Sequence, residues 1–394
     1  MSPDRTKSSN AERRAILAER VFDGRGWHRG TAVLMRDGCI MGLASPDTIP
    51  SDWPQTRLPT GSFLTAGFID LQVNGGGGIL LNDQPTADGM RAIARAHRRY
   101  GTTACLPTLI TDTRERMRAA IAAARSAAGK DGIIGLHLEG PFISPQRPGV
   151  HRPDRILQPA SGDLELLCEL AGAGRSLITL APECVPAGFV LTLASSGVRV
   201  SIGHSEASAA AAMRAVTEGA TGVTHLFNAM PPLSARAPGI VGAALAEPRL
   251  TAGLIADGIH VDPISVQAAF AAKGPDRIAL VTDAMPTVGT SLDRFDLAGR
   301  TIRLADGRLT TAEGTLAGAH LDMASAVRNA VRLANVSLDD ALRAASLTPA
   351  RFLGLDNERG AIVAGARADL VAMTEELTVI ATWINGEIES YGVP

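Results

Sequence analysis

Ile133-Ile134-Gly135-Leu136-His137-Leu138-Glu139 is a short apolar run that closes on a carboxylate. Apolar runs of about four to eight residues read as strands buried on both faces, which parallel sheets produce. Three further runs end the same way: Val198-Arg199-Val200-Ser201-Ile202-Gly203 leads to His204, Val223-Thr224 to His225, and Ile278-Ala279-Leu280-Val281-Thr282 to Asp283. In a closed βα barrel the chemistry sits on the carboxyl-terminal rim of the strands, so four such endings predict hydrolytic chemistry at a metal ion.

Outward from these runs, the pattern from Ala66 to Asp283 repeats a strand-like run, a loop and an alanine-rich amphipathic helix. Candidate strands are residues 67–72, 103–107, 133–139, 177–180, 198–202, 222–225, 254–256 and 278–282, and helical spacing marks 87–100, 113–128, 164–171, 207–218 and 263–273. Alternation of this kind predicts an α/β fold, a (β/α)8 TIM-type barrel spanning 63–355. Residues 16–62 alternate apolar and polar side chains around Gly24-Arg25-Gly26 and Asp37-Gly38, and 356–394 repeats that texture around Asn385-Gly386. These two segments are read as a small β-sandwich domain built from both chain ends, with 302–318 and its Asp306-Gly307 turn joining it. Two helices, near 321–334 and 338–345, are expected to pack back on the barrel, and residues 1–15 are read as a flexible amino terminus.

The 394 residues exceed the roughly 250 of a bare barrel, which leaves room for that second domain. A net charge of −2, from 38 basic and 40 acidic residues, gives no electrostatic reason to bind nucleic acid or a membrane surface. A small-molecule substrate is the default expectation. Cys39, Cys105, Cys168 and Cys184 are far apart and form no CxxC, which fits a reducing cytoplasm. The polar start of the chain precedes no apolar leader, and no run approaches the length of a membrane span.

A catalytic zinc takes three ligands of the histidine and carboxylate type and keeps a fourth position open. Glu139, His204 and His225 meet that count. Residues two apart on a strand share a face, so His137 and Glu139 both point into the barrel while Leu136 and Leu138 pack on helices. A lone barrel histidine is more often a satisfied core residue, and it is the joint placement on separate strand ends that favours a metal site. Asp283 alone could equally cap the next helix.

Gly67-Phe68-Ile69-Asp70, Gly135-Leu136-His137-Leu138-Glu139-Gly140-Pro141-Phe142, Gly203-His204-Ser205, Thr224-His225-Leu226-Phe227-Asn228-Ala229-Met230-Pro231, Ala256-Asp257-Gly258-Ile259-His260-Val261-Asp262 and Val281-Thr282-Asp283-Ala284 together resemble the N-acetylglucosamine-6-phosphate deacetylases of the amidohydrolase superfamily. The resemblance covers nearly the whole chain after residue 15, with the motifs in the family's order. It implies Glu139, His204 and His225 as metal ligands and Asp283 as the group that takes a proton from water and returns it to the leaving amine. It implies His151 as the histidine that steadies the substrate carbonyl oxygen. A phosphate clamp is implied from the backbone N–H groups of Asn228 and Ala229 with Arg236 and His260, part of it supplied across a subunit boundary, hence a homodimer acting on a phosphorylated amino sugar. Without the resemblance, His151 reads as a solvent-facing loop residue and Arg236 as a solvated one.

Other positions narrow the chemistry. Where many amidohydrolases carry an HxH for a second metal, this chain has Gln72-Val73-Asn74, and Lys7, Lys130 and Lys273 lie away from the end of the fourth strand. Neutral amides are poor ligands beside carboxylate and imidazole, so one divalent ion is expected, zinc with iron as the alternative. His320 and Asp322 stand where the family usually has small or hydroxyl residues near the acetyl pocket; the favoured reading makes Asp322 a helix cap with His320 beside it. Pro232 after Pro231 alters the phosphate loop, which keeps the galactosamine epimer open as substrate, and another mononuclear amidohydrolase acting on a cyclic amide or N-acyl compound is the remaining alternative.

Overall fold

The computed structural model describes residues 13–392, so the expected flexible segment lies outside the described residues as far as residue 12. Arg13–Ala15 already belong to a strand, Arg13–Phe22.

Eight parallel strands form the barrel: β1 (Phe68–Val73), β2 (Thr102–Ile110), β3 (His137–Glu139), β4 (Leu177–Leu180), β5 (Arg199–Ile202), β6 (Gly222–Val223), β7 (Thr251–Leu254) and β8 (Ile278–Leu280). They pair in chain order from β1 to β8. Nearly every strand residue is buried, as expected where helices cover the outer face and side chains fill the inside. Four of the helices between strands start on side-chain caps: Thr86, Thr113, Ser208 and Asp262 each accept a hydrogen bond from a backbone N–H in the first turn. The cap reading of Asp322 holds too, since its carboxylate accepts from Ser325 N at 2.8 Å.

Three local expectations shift. The seventh strand lies at Thr251–Leu254 rather than 254–256, because Thr251-Ala252-Gly253 carries little apolar bulk to announce it. Helices at Phe189–Ser195 and Gly239–Ala246 were not anticipated. The alternating stretch 302–318 does not join the sheet of the chain ends. Its strand Arg300–Ala305 is the centre of a separate three-stranded sheet, antiparallel to Arg294–Leu297 on one side and to Arg308–Thr310 on the other. Leu297, Ile302 and Leu309 from that sheet pack on Leu80, Ile110, Val150 and Met285 at the barrel rim.

The chain ends meet in one larger sheet. Ser62–Ala66 pairs in parallel with Arg13–Phe22 and antiparallel with Leu370–Thr374, which joins the amino-terminal strands to Val379–Ile384 and Glu387–Ser390. Its core of Ile16, Val21, Met35, Leu64, Leu370 and Trp383 is distinct from the barrel core.

Candidate metal centre

Each rim residue emerges where a strand stops and the backbone turns sharply. Glu139 is the last residue of β3, and Gly140 follows at φ 89, where a Cβ would collide with the Thr111 side chain. That close approach lets Thr111 bond the Glu139 carbonyl at 3.1 Å. His204, His225 and Asp283 have φ of 49, 32 and 51, and Phe227 and Ala229 also lie in the left-handed region. Non-glycine residues there carry roughly 1 kcal/mol or more of strain each, and such strain gathers at functional sites. Backbone bonds hold the turns: His204 O accepts from Ser144 N at 2.8 Å and Asp283 O from Ala319 N at 2.9 Å.

Three side chains converge. His204 Nε2 lies 3.2 Å and His225 Nε2 2.9 Å from Glu139 Oε1, with the two imidazole nitrogens 2.9 Å apart. His204 Nδ1 donates to the Arg147 carbonyl at 2.8 Å, so its Nε2 presents a lone pair to the cluster. Lone pairs at this spacing repel unless a proton or a cation sits among them, and a carboxylate with two imidazoles suits a divalent ion such as zinc. The donor set therefore fits a metal. Ligand atoms of Glu139, His151 and His204 also lie within 4.8 Å of one another. His151 Nε2 is nevertheless 3.8 Å from Glu139 Oε2, so His225 completes the tighter trio.

Burial opposes ionisation of Glu139, but the close approach of the His204 and His225 rings outweighs it and holds the carboxyl well below its usual range. Asp283 goes the other way: burial, then the Glu139 charge, push it up to about 6. Gln72 Nε2 donates to Glu139 Oε1 at 2.9 Å and Asp283 Oδ1 at 3.0 Å, and Asn74 Nδ2 donates to Asp283 Oδ1 at 2.6 Å. Both amides therefore turn N–H groups toward carboxylates. Burial, then the neighbouring His204, push His151 down to about 3, so its ring is neutral. The Thr111 hydroxyl spends its proton on the Glu139 carbonyl, so Thr111 Oγ1 accepts from His151 Nδ1 at 2.7 Å and the ring proton sits on Nδ1.

A cavity of about 260 Å³ opens on the cluster and is lined by Asn74, Glu139, His151, His204, His225, Asn228, Ala229, His260 and Asp283, with Ile110, Val150, Met285 and Leu316 as an apolar wall. Not every expected residue reaches it. His137 lies beneath, with Nε2 2.8 Å from Thr179 Oγ1, and burial pushes it down to about 4. His320 lies on Thr287 at 2.9 Å, and Arg236 is exposed on the loop after Pro231; neither is among the lining residues. The Asn228 N–H is already committed to His225 O at 2.9 Å, and its side-chain Nδ2 to His225 O and Leu226 O at 3.3 and 3.4 Å, which leaves the N–H of Ala229, a lining residue, as a donor on this loop.

Two partners escaped the sequence reading. Asp257 accepts from His260 N at 2.7 Å and faces His260 Nδ1 at 2.6 Å, so it fixes the ring that lines the cavity. The Asp257-Gly258-Ile259-His260 spacing carried that signal, since aspartate commonly bonds backbone two or three residues on. Thr111, which orients His151, had no signal beyond being a hydroxyl at a strand end.

Residues 63–388 match the amidohydrolase family. An N-acetylgalactosamine-6-phosphate deacetylase of Shewanella sp. (strain ANA-3) is 43% identical over 363 residues, 91% of this chain and 91% of that protein. An N-acetylglucosamine-6-phosphate deacetylase of Haemophilus influenzae is 37% identical over 367 residues, 90% of this chain and 95% of that protein. The crystal structure of N-acetylglucosamine-6-phosphate deacetylase from Pasteurella multocida superposes with a TM-score of 0.93 at 34% identity, covering 96% of this chain and 100% of that one.

Proposed function

The chain belongs to the amidohydrolase family, and from that premise we propose that it hydrolyses the N-acetyl group of N-acetylglucosamine 6-phosphate, giving glucosamine 6-phosphate and acetate. One observation carries the reading: Glu139, His204 and His225 converge beside Asp283 and His151 on a single cavity large enough for a sugar. When bound, one divalent ion, zinc or alternatively iron, lowers the pKa of water and polarises an amide carbonyl. Glu139, His204 and His225 would hold it, while Gln72 and Asn74, committed as N–H donors, would not hold a second.

Asp283 accepts the proton of the attacking water and returns it to the departing nitrogen. A carboxyl raised to about 6 is ionised at neutral pH yet basic enough to take that proton. His151 donates from Nε2 to the carbonyl oxygen as charge develops there, once Thr111 turns its hydroxyl from the Glu139 carbonyl to His151 Nδ1 and the ring proton moves to Nε2. Ile110, Val150 and Met285 exclude water around the acetyl methyl. At the other end of the cavity His260, held by Asp257, and the Ala229 N–H receive the phosphate. Arg236 is exposed and outside its own cavity, which supports a homodimer in which a second copy supplies it.

The galactosamine epimer is the second reading, favoured by the relative at 43% identity. No helix among the described residues is long and apolar enough to cross a membrane, and four free cysteines fit a reducing cytoplasm. A panel of N-acetylglucosamine, N-acetylgalactosamine and N-acetylmannosamine 6-phosphates, each beside its unphosphorylated sugar, tests the proposal. Turnover of the glucosamine ester above the rest is expected; equal rates without the phosphate refute it.

A further inference from the structure

Adjacent barrel strands pair by backbone ladders at every seam but one. Between β8 and β1 there is only a bridge from Val73 to Ala284, with Asp283 N donating to Gln72 O at 2.9 Å and Asn74 N to Ala284 O at 3.0 Å. Below that bridge the join is made by a side chain. Asp70 Oδ2 accepts from Thr282 Oγ1 at 2.5 Å, and Asp70 Oδ1 accepts from Thr282 N at 3.3 Å and from Gln72 N at 3.1 Å.

Asp70 is fully buried and does not line the cavity, so it cannot touch substrate. A carboxyl in that position costs folding energy that an apolar side chain of similar size would avoid. Its partners suggest what offsets the cost. Gln72 is the residue whose amide donates to both Glu139 and Asp283, and Thr282 immediately precedes Asp283, whose backbone sits at φ 51. The carboxyl of Asp70 thus holds both the residue that bonds Asp283 and the residue that aims it.

We propose that Asp70 is a positioning residue: it ties the first and last barrel strands so that Gln72 and Asp283 meet at a fixed distance beside Glu139. The assignment rests on Asp283 being the proton-transfer group. Loss of the tie lets the Asp283 carboxylate move relative to the amide carbonyl, and a displacement near 1 Å costs about a hundredfold in turnover. Binding of the sugar phosphate, made at the other end of the cavity, is unaffected.

The test measures kcat, KM and bound metal for Asp70→Ala, Asp70→Asn, Thr282→Val and Thr282→Ser on the hexosamine 6-phosphate, with Asp283→Asn alongside. Asp70→Ala and Thr282→Val are expected to lose about a hundredfold in kcat, with KM and metal content within twofold of the parent. Thr282→Ser keeps the hydroxyl, and Asp70→Asn can accept the two N–H groups while Thr282 reverses its hydroxyl, so both are expected to stay within tenfold. Thr282→Val decides the question from the opposite strand if Asp70→Ala does not fold. Unchanged kcat in Thr282→Val, or losses in KM and metal content as large as that in kcat, overturns the proposal in favour of simple structural support. Retained turnover in Asp283→Asn refutes the reading of Asp283 and this role with it.

Discussion

The two ends of the cavity are built differently. At the cation end every donor is buried, comes from a strand terminus and is bonded within the chain: Glu139, His204 and His225 are each less than a tenth exposed. At the end proposed to take the phosphate the residues sit on loops, the Asn228 N–H is already committed, and Arg236 stands in solvent. A barrel rim fixes side chains to within the precision that proton transfer needs, because strands and helices hold both sides of each turn. Loops suffice for holding a charged group, where geometry is forgiving.

That contrast can be broken by substitution, starting at the rigid end. Asp283→Asn is expected to lower kcat by about 10³-fold with metal content unchanged, since the amide neither accepts nor returns a proton. Steady-state kinetics with elemental analysis of the same preparation checks it. Next, Arg236→Ala is expected to raise KM for the phosphorylated sugar by roughly tenfold or more and to leave the unphosphorylated sugar alone, the loss of one charge-assisted contact. An equal loss on both sugars would put Arg236 outside the anion end. If a second copy supplies it, mixing Arg236→Ala with Asp283→Asn subunits restores sites that carry both groups, and activity recovers on mixing.

Smaller effects sharpen the comparison. Asp257→Asn is expected to raise KM for the phosphorylated sugar roughly three- to tenfold with kcat nearly constant, because His260 loses the carboxylate that orients it. The pH profile of kcat should report the cation end alone. Asp283 acts as a base only when ionised, so turnover falls as pH drops through its pKa, raised to about 6 by burial and by Glu139. A bound cation offsets the Glu139 charge, which places the half-point at or below pH 6. A limb well above that value would assign the proton transfer elsewhere.

The rim residues were legible in the sequence because each terminates an apolar run, and parallel strands hide that run from water on both faces. Glu139, His204, His225 and Asp283 could be placed on one rim without knowing their distances. Their supports could not be read, since Gln72 bonds Asp283 across the closing seam, 211 residues away in the chain, and Thr111 meets His151 over 40 residues. The helix at Gly239–Ala246 is apolar on most faces and so shows no amphipathic period, and the one at Phe189–Ser195 begins after Gly188 without a side-chain cap. Residues 302–310 show the limit of alternation: it reports one buried face, and the strands are real, but it does not say which sheet they join. Here the buried face meets Ile110 and Val150 instead of the chain ends. Arg236 was placed in a clamp by resemblance, and a single chain leaves it outside its own cavity.

The most direct measurement is divalent-metal content of purified, active protein set against turnover, in the parent and in Glu139→Gln and His204→Asn. One ion per chain is expected in the parent, removed by chelation together with activity and restored with it, and lost from both variants. Full turnover in protein free of divalent metal, or parent-level metal in both variants, contradicts a cation held by Glu139, His204 and His225.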